Sequence, residues 1–442
     1  GKIVREISYT APVDGNSVVL TIDSELQDVM REALQDVIND INYQQRVVMS
    51  GERWQRNNAS ELARYEDMGH EVQLADSGAM IAMDPNSGRV LGYVSLPDYD
   101  LSLFNGGSIE SGAWAEIIND ENNPLFDRVI SAKDAPGSTF KLCTALAALA
   151  SGNLGKDERI SDGGYYTQTD TANPAKCWTS YPERHQNQTV VEGLSNSCNY
   201  FFYKVSNRMG AQVINEWAAA LGLTSLTNIE LPGEATSFVG NQDALYDPDV
   251  AIENQMTSKP TVVATALRSL INRIGEERNI EYDEERVDEV VKKLMDIAVS
   301  YDTRAEWNAP IREVLVYDLN LPVQYISSNY LGNTVASYIS DLYWTPNETI
   351  MLGIGQSITQ ITPIAAARYV SAIANGGTVY DAQIIDKIIA PDGTVILDKE
   401  PVVANQIETD PEFFELIQQG MENVTSVEND GTAAEQFKNA KY

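Results

Sequence analysis

Two short clusters hold the side chains needed for nucleophilic acyl transfer. The first is Pro136-Gly137-Ser138-Thr139-Phe140-Lys141. A serine that opens a helix after a glycine turn has its own N–H among the unpaired amides of the helix start. Those amides and the helix dipole favour negative charge nearby. Lys141, three residues on, shares a helical face with Ser138. Burial would push this lysine towards its neutral form, a base able to take the serine proton. A second reading stands beside it, with Ser138 as a helix cap and Lys141 reaching solvent along its stem. The apolar run that follows makes an unpaired ammonium at this point expensive.

The triplet S-x-N occurs three times, at Ser151-Gly152-Asn153, Ser197-Cys198-Asn199 and Ser327-Ser328-Asn329, so by itself it identifies nothing. Ser151 reads as a helix stop, and Ser327 falls in a charged helical stretch. Ser197 and Asn199 precede the apolar run Tyr200-Phe201-Phe202-Tyr203, where a loop enters a buried helix and a hydroxyl and an amide can face a cleft. Helix capping is the alternative there too.

These clusters need a scaffold, and composition bounds it. The 442 residues include 64 acidic and 31 basic side chains, a formal charge of −33 that argues against binding nucleic acid. Three cysteines are too few for a disulfide framework and are not spaced as zinc ligands. With only His70 and His185 available, no metal site and no cofactor are expected, and no ligand partner for His185 is visible. Cys143 reads as a core residue. The Cys198 thiol is expected to pack inward. Cys177, beside Trp178, could pair with Cys198, although two free thiols is the simpler expectation. No apolar run approaches the roughly eighteen residues that cross a bilayer.

Along the chain, Gly1–Gly15 has no clear periodicity, and Val18–Ile22 is β-prone. Asp23 or Ser24 can cap a helix carrying Leu26, Met30, Leu34 and Ile38 at steps of four. Residues 40–77 are polar with weak helical patterns. Ala79–Met83 and Arg89–Val94 form a hairpin about the turn Asp84-Pro85-Asn86-Ser87-Gly88. Apolar helices are predicted over 138–150, 200–209 and 364–374, the last stopped by Asn375-Gly376-Gly377. Residues 378–399 read as a second hairpin turning at Ala390–Thr394, and helix returns over 411–424. Between 255 and 347 the texture turns charged and helical, which reads as an insertion. The pattern of hairpins at both ends and buried helices between predicts an α+β fold.

Taken together these residues resemble the transpeptidase domain of the class B penicillin-binding proteins, the D,D-transpeptidases that cross-link peptidoglycan. The resemblance is a procession in the family's order. It starts at Leu20-Thr21-Ile22-Asp23 with Leu26-Gln27, then the 78–93 hairpin, then Ser95-Leu96-Pro97-Asp98-Tyr99-Asp100. The nucleophile motif 136–141 follows, then Ser197-Cys198-Asn199 and Leu231-Pro232-Gly233-Glu234. Gly353-Ile354-Gly355-Gln356, Thr362-Pro363 and Asn375-Gly376-Gly377 complete it.

The resemblance implies the fold shared with serine β-lactamases, an antiparallel sheet packed with a helical subdomain. It divides the chain into a lead-in from a missing pedestal module (1–20), a first part of the transpeptidase domain (21–254), the helical insertion (255–347) and a second part (348–442). It makes Ser138 the nucleophile, Lys141 its base, Ser197 a proton relay to the leaving amine and Asn199 a ligand of the substrate amide, with the Ser138 N–H as half of an oxyanion hole. Expected partners are stem peptides ending in D-Ala-D-Ala, covalently bound β-lactams, a membrane glycosyltransferase and other wall-synthesis proteins, with a lean towards cell elongation and shape. The expected location is the outer face of the bacterial membrane, through an anchor not in this sequence. Alternatives are a D,D-carboxypeptidase, a β-lactamase-related hydrolase, and a non-catalytic β-lactam sensor or scaffold. The family's Lys-Thr/Ser-Gly motif is absent. Met421–Phe437, with Gly431-Thr432-Ala433, resembles the segment that precedes it, so the sequence is expected to end short of that motif at Tyr442 and to be crippled alone.

Overall fold

The computed structural model describes residues 13–69, 72–105, 108–326 and 330–440. His70, the Ser327-Ser328-Asn329 triplet, Tyr442 and most of the lead-in, residues 1–12, lie outside the described residues. The chain divides into two compact units. One comprises Gly1–Asp134, Ala220–Ser237 and Ile361–Glu408, the other Ala135–Ala219, Phe238–Gln360 and Thr409–Tyr442.

In the first unit the Asp23 carboxylate caps the Ser24–Met49 helix, accepting from the N–H groups of Glu25 and Leu26. The step-of-four stripe does what it predicts: Met30, Leu34 and Ile38 pack on Val94 and Leu96 of the hairpin strand. That hairpin, Gly78–Met83 with Val90–Leu96, turns where the Asp84 side chain accepts from Asn86 N–H and Ser87 Oγ–H. The polar stretch from Asp40 is more helical than its pattern suggests. The first helix runs on to Met49 and another spans Glu52–Asp67, which buries no residue.

The second predicted hairpin needs correction. Strands Ile385–Ile389 and Val395–Asp398 do pair, and Ser17–Leu20 joins them as a third antiparallel strand. Thr378–Tyr380 instead pairs with Val403–Gln406. Two β-prone runs close in sequence are not thereby partners, and here the run just beyond the inner hairpin supplies the register. The Pro363–Ala374 helix, capped by Thr362, ends at Asn375, whose side chain accepts from Gly377 and Thr378 N–H.

The regular structure of the second unit is mainly helical, with one short strand pair, Tyr165–Tyr166 and Ala175–Lys176. The Lys141–Ala150 helix is buried nearly all round, as an all-apolar helix must be. The Pro411–Thr425 helix packs on it and on Val190–Ser195. The predicted 200–209 helix extends over Asn199–Ala220, broken at Gly210, where φ is 80°. Within 255–347 the helices Lys259–Arg278, Glu284–Ser300 and Tyr330–Ile339 close around Leu267, Val290, Leu294, Trp307 and Val335. Among the described residues no helix is long and apolar enough to cross a membrane.

Candidate active site

Ser138 sits in a single 3₁₀ turn, Gly137–Phe140, which passes directly into the Lys141–Ala150 helix. The helix predicted from 138 therefore begins tighter than α, and the serine is left exposed at its mouth while Phe140 is buried beneath it. Gly137 has φ of 55° and donates its N–H to the Gly355 carbonyl at 2.8 Å. Gly355 itself has φ of 69°, and a Cβ there would lie 2.2 Å from the Gly137 oxygen. Only glycine allows this approach, which explains the chemistry of the Gly-Ile-Gly segment. Thr144 Oγ1 donates to the Gly353 carbonyl at 2.9 Å and ties the same segment to the helix.

Lys141 is 1% exposed. Its Nζ donates to Ser197 Oγ at 3.0 Å, to the Ser197 carbonyl at 2.9 Å and to Asn199 Oδ1 at 2.6 Å. The Phe202 ring lies 5.5 Å from the ammonium. Burial lowers the lysine from 10.5 to about 8, against the opposing pull of Cys198 and Cys177. The solvent-reaching reading of Lys141 is thereby excluded. Ser197 Oγ stands 3.1 Å from Ser138 Oγ. The pair Ser138 and Lys141 and the pair Ser197 and Asn199, far from each other in sequence, thus form one hydrogen-bonded group.

Ser197 is held in the left-handed region, with φ of 47°. Its N–H donates to the Leu194 carbonyl at 2.9 Å, and the next N–H, of Cys198, to Gly193. The Gly431-Thr432-Ala433 segment packs against the same turn. Thr432 N–H reaches the Ser195 carbonyl at 3.3 Å, and a Cβ on Gly431 would fall 2.0 Å from the Asn423 oxygen. The Ser151 triplet lies at the far end of the Lys141 helix, where Ser151 bonds back to Ala147, a helix stop as expected.

The expectations for the cysteines hold, and the one for His185 is corrected. Cys143, Cys177 and Cys198 are all free and buried. His185, however, has partners: its Nδ1 lies 3.5 Å from Cys177 Sγ and 3.7 Å from Asp162 Oδ2. Cys198 Sγ lies 4.0 Å from Cys177 Sγ and 3.9 Å from Asp162 Oδ2. Cys177 is pushed down chiefly by the hydrogen bond from Cys198, and Cys198 is pushed up by giving it and by burial. All four side chains are buried, each offering one ligand atom. A tetrahedron with metal–ligand bonds of about 2.0–2.3 Å has edges of about 3.3–3.8 Å; the Cys, His and Asp donors are of the type that zinc takes, and two of the four separations, 3.9 and 4.0 Å, are wider than that range. No spacing rule flags the cluster, because the loops at 162, 177, 185 and 198 converge only in three dimensions.

Residues 78–303 and 323–442 match the penicillin binding protein transpeptidase domain. The chain is 26% identical over 234 residues to peptidoglycan D,D-transpeptidase MrdA of Escherichia coli, covering 53% of this chain and 30% of that protein. It is 32% identical over 155 residues to peptidoglycan D,D-transpeptidase PbpA of Mycobacterium tuberculosis, covering 34% of this chain and 30% of that one. The matched stretch is thus well under half the length of these curated relatives. Among solved structures, Pseudomonas aeruginosa PBP2 in complex with WCK 5153 superposes with a TM-score of 0.56 at 21% identity, over 98% of this chain and 67% of that one. Penicillin-binding protein A of Mycobacterium tuberculosis, seen as its penicillin G acyl-enzyme, gives 0.51 at 18%, over 93% and 64%. The α+β architecture predicted from the hairpins and buried helices is the fold these structures share.

Proposed function

Since the chain belongs to the penicillin binding protein transpeptidase family, we propose that it is a serine D,D-transpeptidase that cross-links peptidoglycan stem peptides and is acylated by β-lactams. The observation that carries the reading is the hydroxyl relay from Ser138 through Ser197 to Lys141.

Ser138 Oγ attacks the carbonyl of the penultimate D-Ala, and the Oγ–C bond forms. Its proton passes to Ser197 Oγ, whose own proton goes to the neutral amine of Lys141. Hydroxyl hydrogens rotate freely enough to run this chain in either direction. In reverse, the lysine proton returns through Ser197 to the leaving amine as the C–N bond breaks and D-Ala departs. The amine of a second stem peptide then attacks the acyl-enzyme by the same relay. Asn199 Oδ1 is occupied by Lys141, which leaves its amide NH₂ for the carbonyl of the bound peptide. The Ser138 N–H, at the opening of the helix, is placed to stabilise the developing oxyanion.

Relatives support the wider setting. The matched proteins named above are called D,D-transpeptidases. A peptidoglycan synthase complex that coordinates polymerization and crosslinking contains a chain that superposes on all of this one, at 20% identity. Helicobacter pylori PBP2 has been seen in complex with MreC. By this reading the domain works outside the cytoplasm beside a glycan polymerase and a shape-determining partner. A cation held by Asp162, Cys177, His185 and Cys198 would brace the Ser197-Cys198-Asn199 segment.

Labelling with a fluorescent penicillin tests the reading in the full-length protein. A covalent adduct is expected on the intact protein and none on Ser138→Ala; an intact protein that never labels would refute it.

A further inference from the structure

Trp178 is 59% exposed, yet its indole is held at both its N–H and its ring. Nε1–H is shared between the carbonyls of Asn196 and Ser197, each at 3.1 Å. Its ring meets His185 edge-on, with centroids 5.7 Å apart. Its chain neighbour Cys177 is buried in the four-residue cluster. An exposed tryptophan with no such ties would sample several rotamers; this one is held against the turn that carries Ser197.

That turn needs holding. A serine at φ of 47° occupies a region that side-chain-bearing residues rarely adopt, and it persists only where contacts over-determine it. The Ser197 carbonyl accepts two donors, Lys141 Nζ at 2.9 Å and Trp178 Nε1 at 3.1 Å. These donors differ in one respect. As an ammonium, Lys141 has three N–H bonds for its three acceptors, Ser197 O, Ser197 Oγ and Asn199 Oδ1. As the neutral amine it has two N–H bonds, and its lone pair must turn to the Ser197 hydroxyl to receive the proton. Its two N–H bonds still reach Ser197 O and Asn199 Oδ1, but without the positive charge that strengthens them, so the base holds the turn less strongly in the state that does the chemistry. The indole N–H does not titrate in this range and stays in place.

We propose that Trp178 is a positioning residue for acyl transfer: its indole N–H keeps the Ser197 turn in the left-handed geometry that aims Ser197 Oγ at Ser138 while Lys141 changes protonation state. The inference rests on the acyl-transfer reading above. It assigns Trp178 no contact with substrate, so its loss acts on the rate of acylation and not on the binding that precedes it.

The test uses the full-length protein and a fluorescent penicillin, with the non-covalent dissociation constant and the limiting acylation rate resolved by stopped flow. Trp178→Phe removes the donor and keeps an aromatic ring. The limiting rate is expected to fall about tenfold, the size of one lost hydrogen bond, with the dissociation constant within about twofold of the parent. Replacing the indole by benzothienylalanine, which has the same shape and no N–H, is expected to give the same fall. A ring-fluorinated tryptophan, which keeps the N–H, is expected to restore the parental rate. A benzothienylalanine protein that acylates at the parental rate would overturn the proposal, as would variants whose rate and thermal stability fall together whichever ring is present. Failure of the parent protein to label is a different result, which refutes the acyl-transfer reading itself.

Discussion

The Ser197 hydroxyl stands 3.1 Å from the Ser138 hydroxyl, although 59 positions separate the two residues. Lys141, only one helical turn from Ser138, meets the same hydroxyl at 3.0 Å. The spacing of Ser138 and Lys141 suggests direct contact between nucleophile and base. The structure instead places a second serine within hydrogen-bond distance of both, so the proposed proton path runs through the loop that carries Ser197.

Ser197→Ala is accordingly expected to slow acylation by about a hundredfold or more, the usual loss when a positioned proton carrier is removed. The fold should survive, because Ser197 is only partly buried and its backbone bonds to Leu194 and Lys141 do not use the side chain. Stopped-flow acylation with a fluorescent penicillin measures it. A rate within about threefold of the parent would mean that Lys141 reaches Ser138 without the relay.

The pH dependence follows from Lys141. Burial favours the neutral amine and brings the group from 10.5 to about 8. Below that value the ammonium dominates, and the base fraction falls about tenfold per pH unit. Acylation should therefore rise with pH, bend near 8 and level off above it, and be lost as pH falls through 8. Acylation rates followed from about pH 6 to about pH 10 show the bend, and a flat profile would remove Lys141 as the base. Lys141→Met should abolish the bend along with most of the rate.

Much of this was legible in the sequence, for identifiable reasons. The nucleophile turn and the Asp23-capped helix are set by contacts within a few residues, so type and spacing reveal them. The partner of Thr378–Tyr380 is not local: β-prone runs declare themselves as strands but not which edge they join. The Asp162, Cys177, His185 and Cys198 cluster is hidden for the same reason, since each ligand atom arrives from its own loop. The tie of Lys141 to Ser197 also depends on a backbone angle, the φ of 47° at Ser197, that serine does not advertise.

Gly355 offers a test of how the nucleophile turn is held. A methyl group there would meet the Gly137 oxygen at 2.2 Å and Phe140 Cβ at 2.6 Å, and the backbone is already at positive φ. Neither neighbour is a flexible side-chain end, so the turn must move. Gly355→Ala is expected to cost about 1–3 kcal/mol in stability and to lower acylation more steeply than Tm, because the displaced turn carries Ser138. Thermal denaturation beside penicillin labelling separates the two effects, and an unchanged protein would show that the close approach is dispensable.

The buried cluster gives the last prediction. Its four donors are of the type zinc takes and lie within 4.8 Å of one another, and Cys198 lies between Ser197 and Asn199, so a cation bound there would brace both. Protein purified without chelator is expected to carry about one zinc per chain by mass-spectrometric metal analysis. Removing the metal should lower Tm by several degrees, and zinc should restore it, since a ligand that binds only the folded state stabilises it by mass action. Occupancy should fall in mild acid, where protons compete for the imidazole and the thiolates. His185→Ala removes one of the four donors and is expected to weaken retention about ten- to a hundredfold while leaving Ser138 in place. A protein that holds no zinc and whose Tm ignores both chelator and added metal would show the four side chains to be a hydrogen-bonded cluster and nothing more.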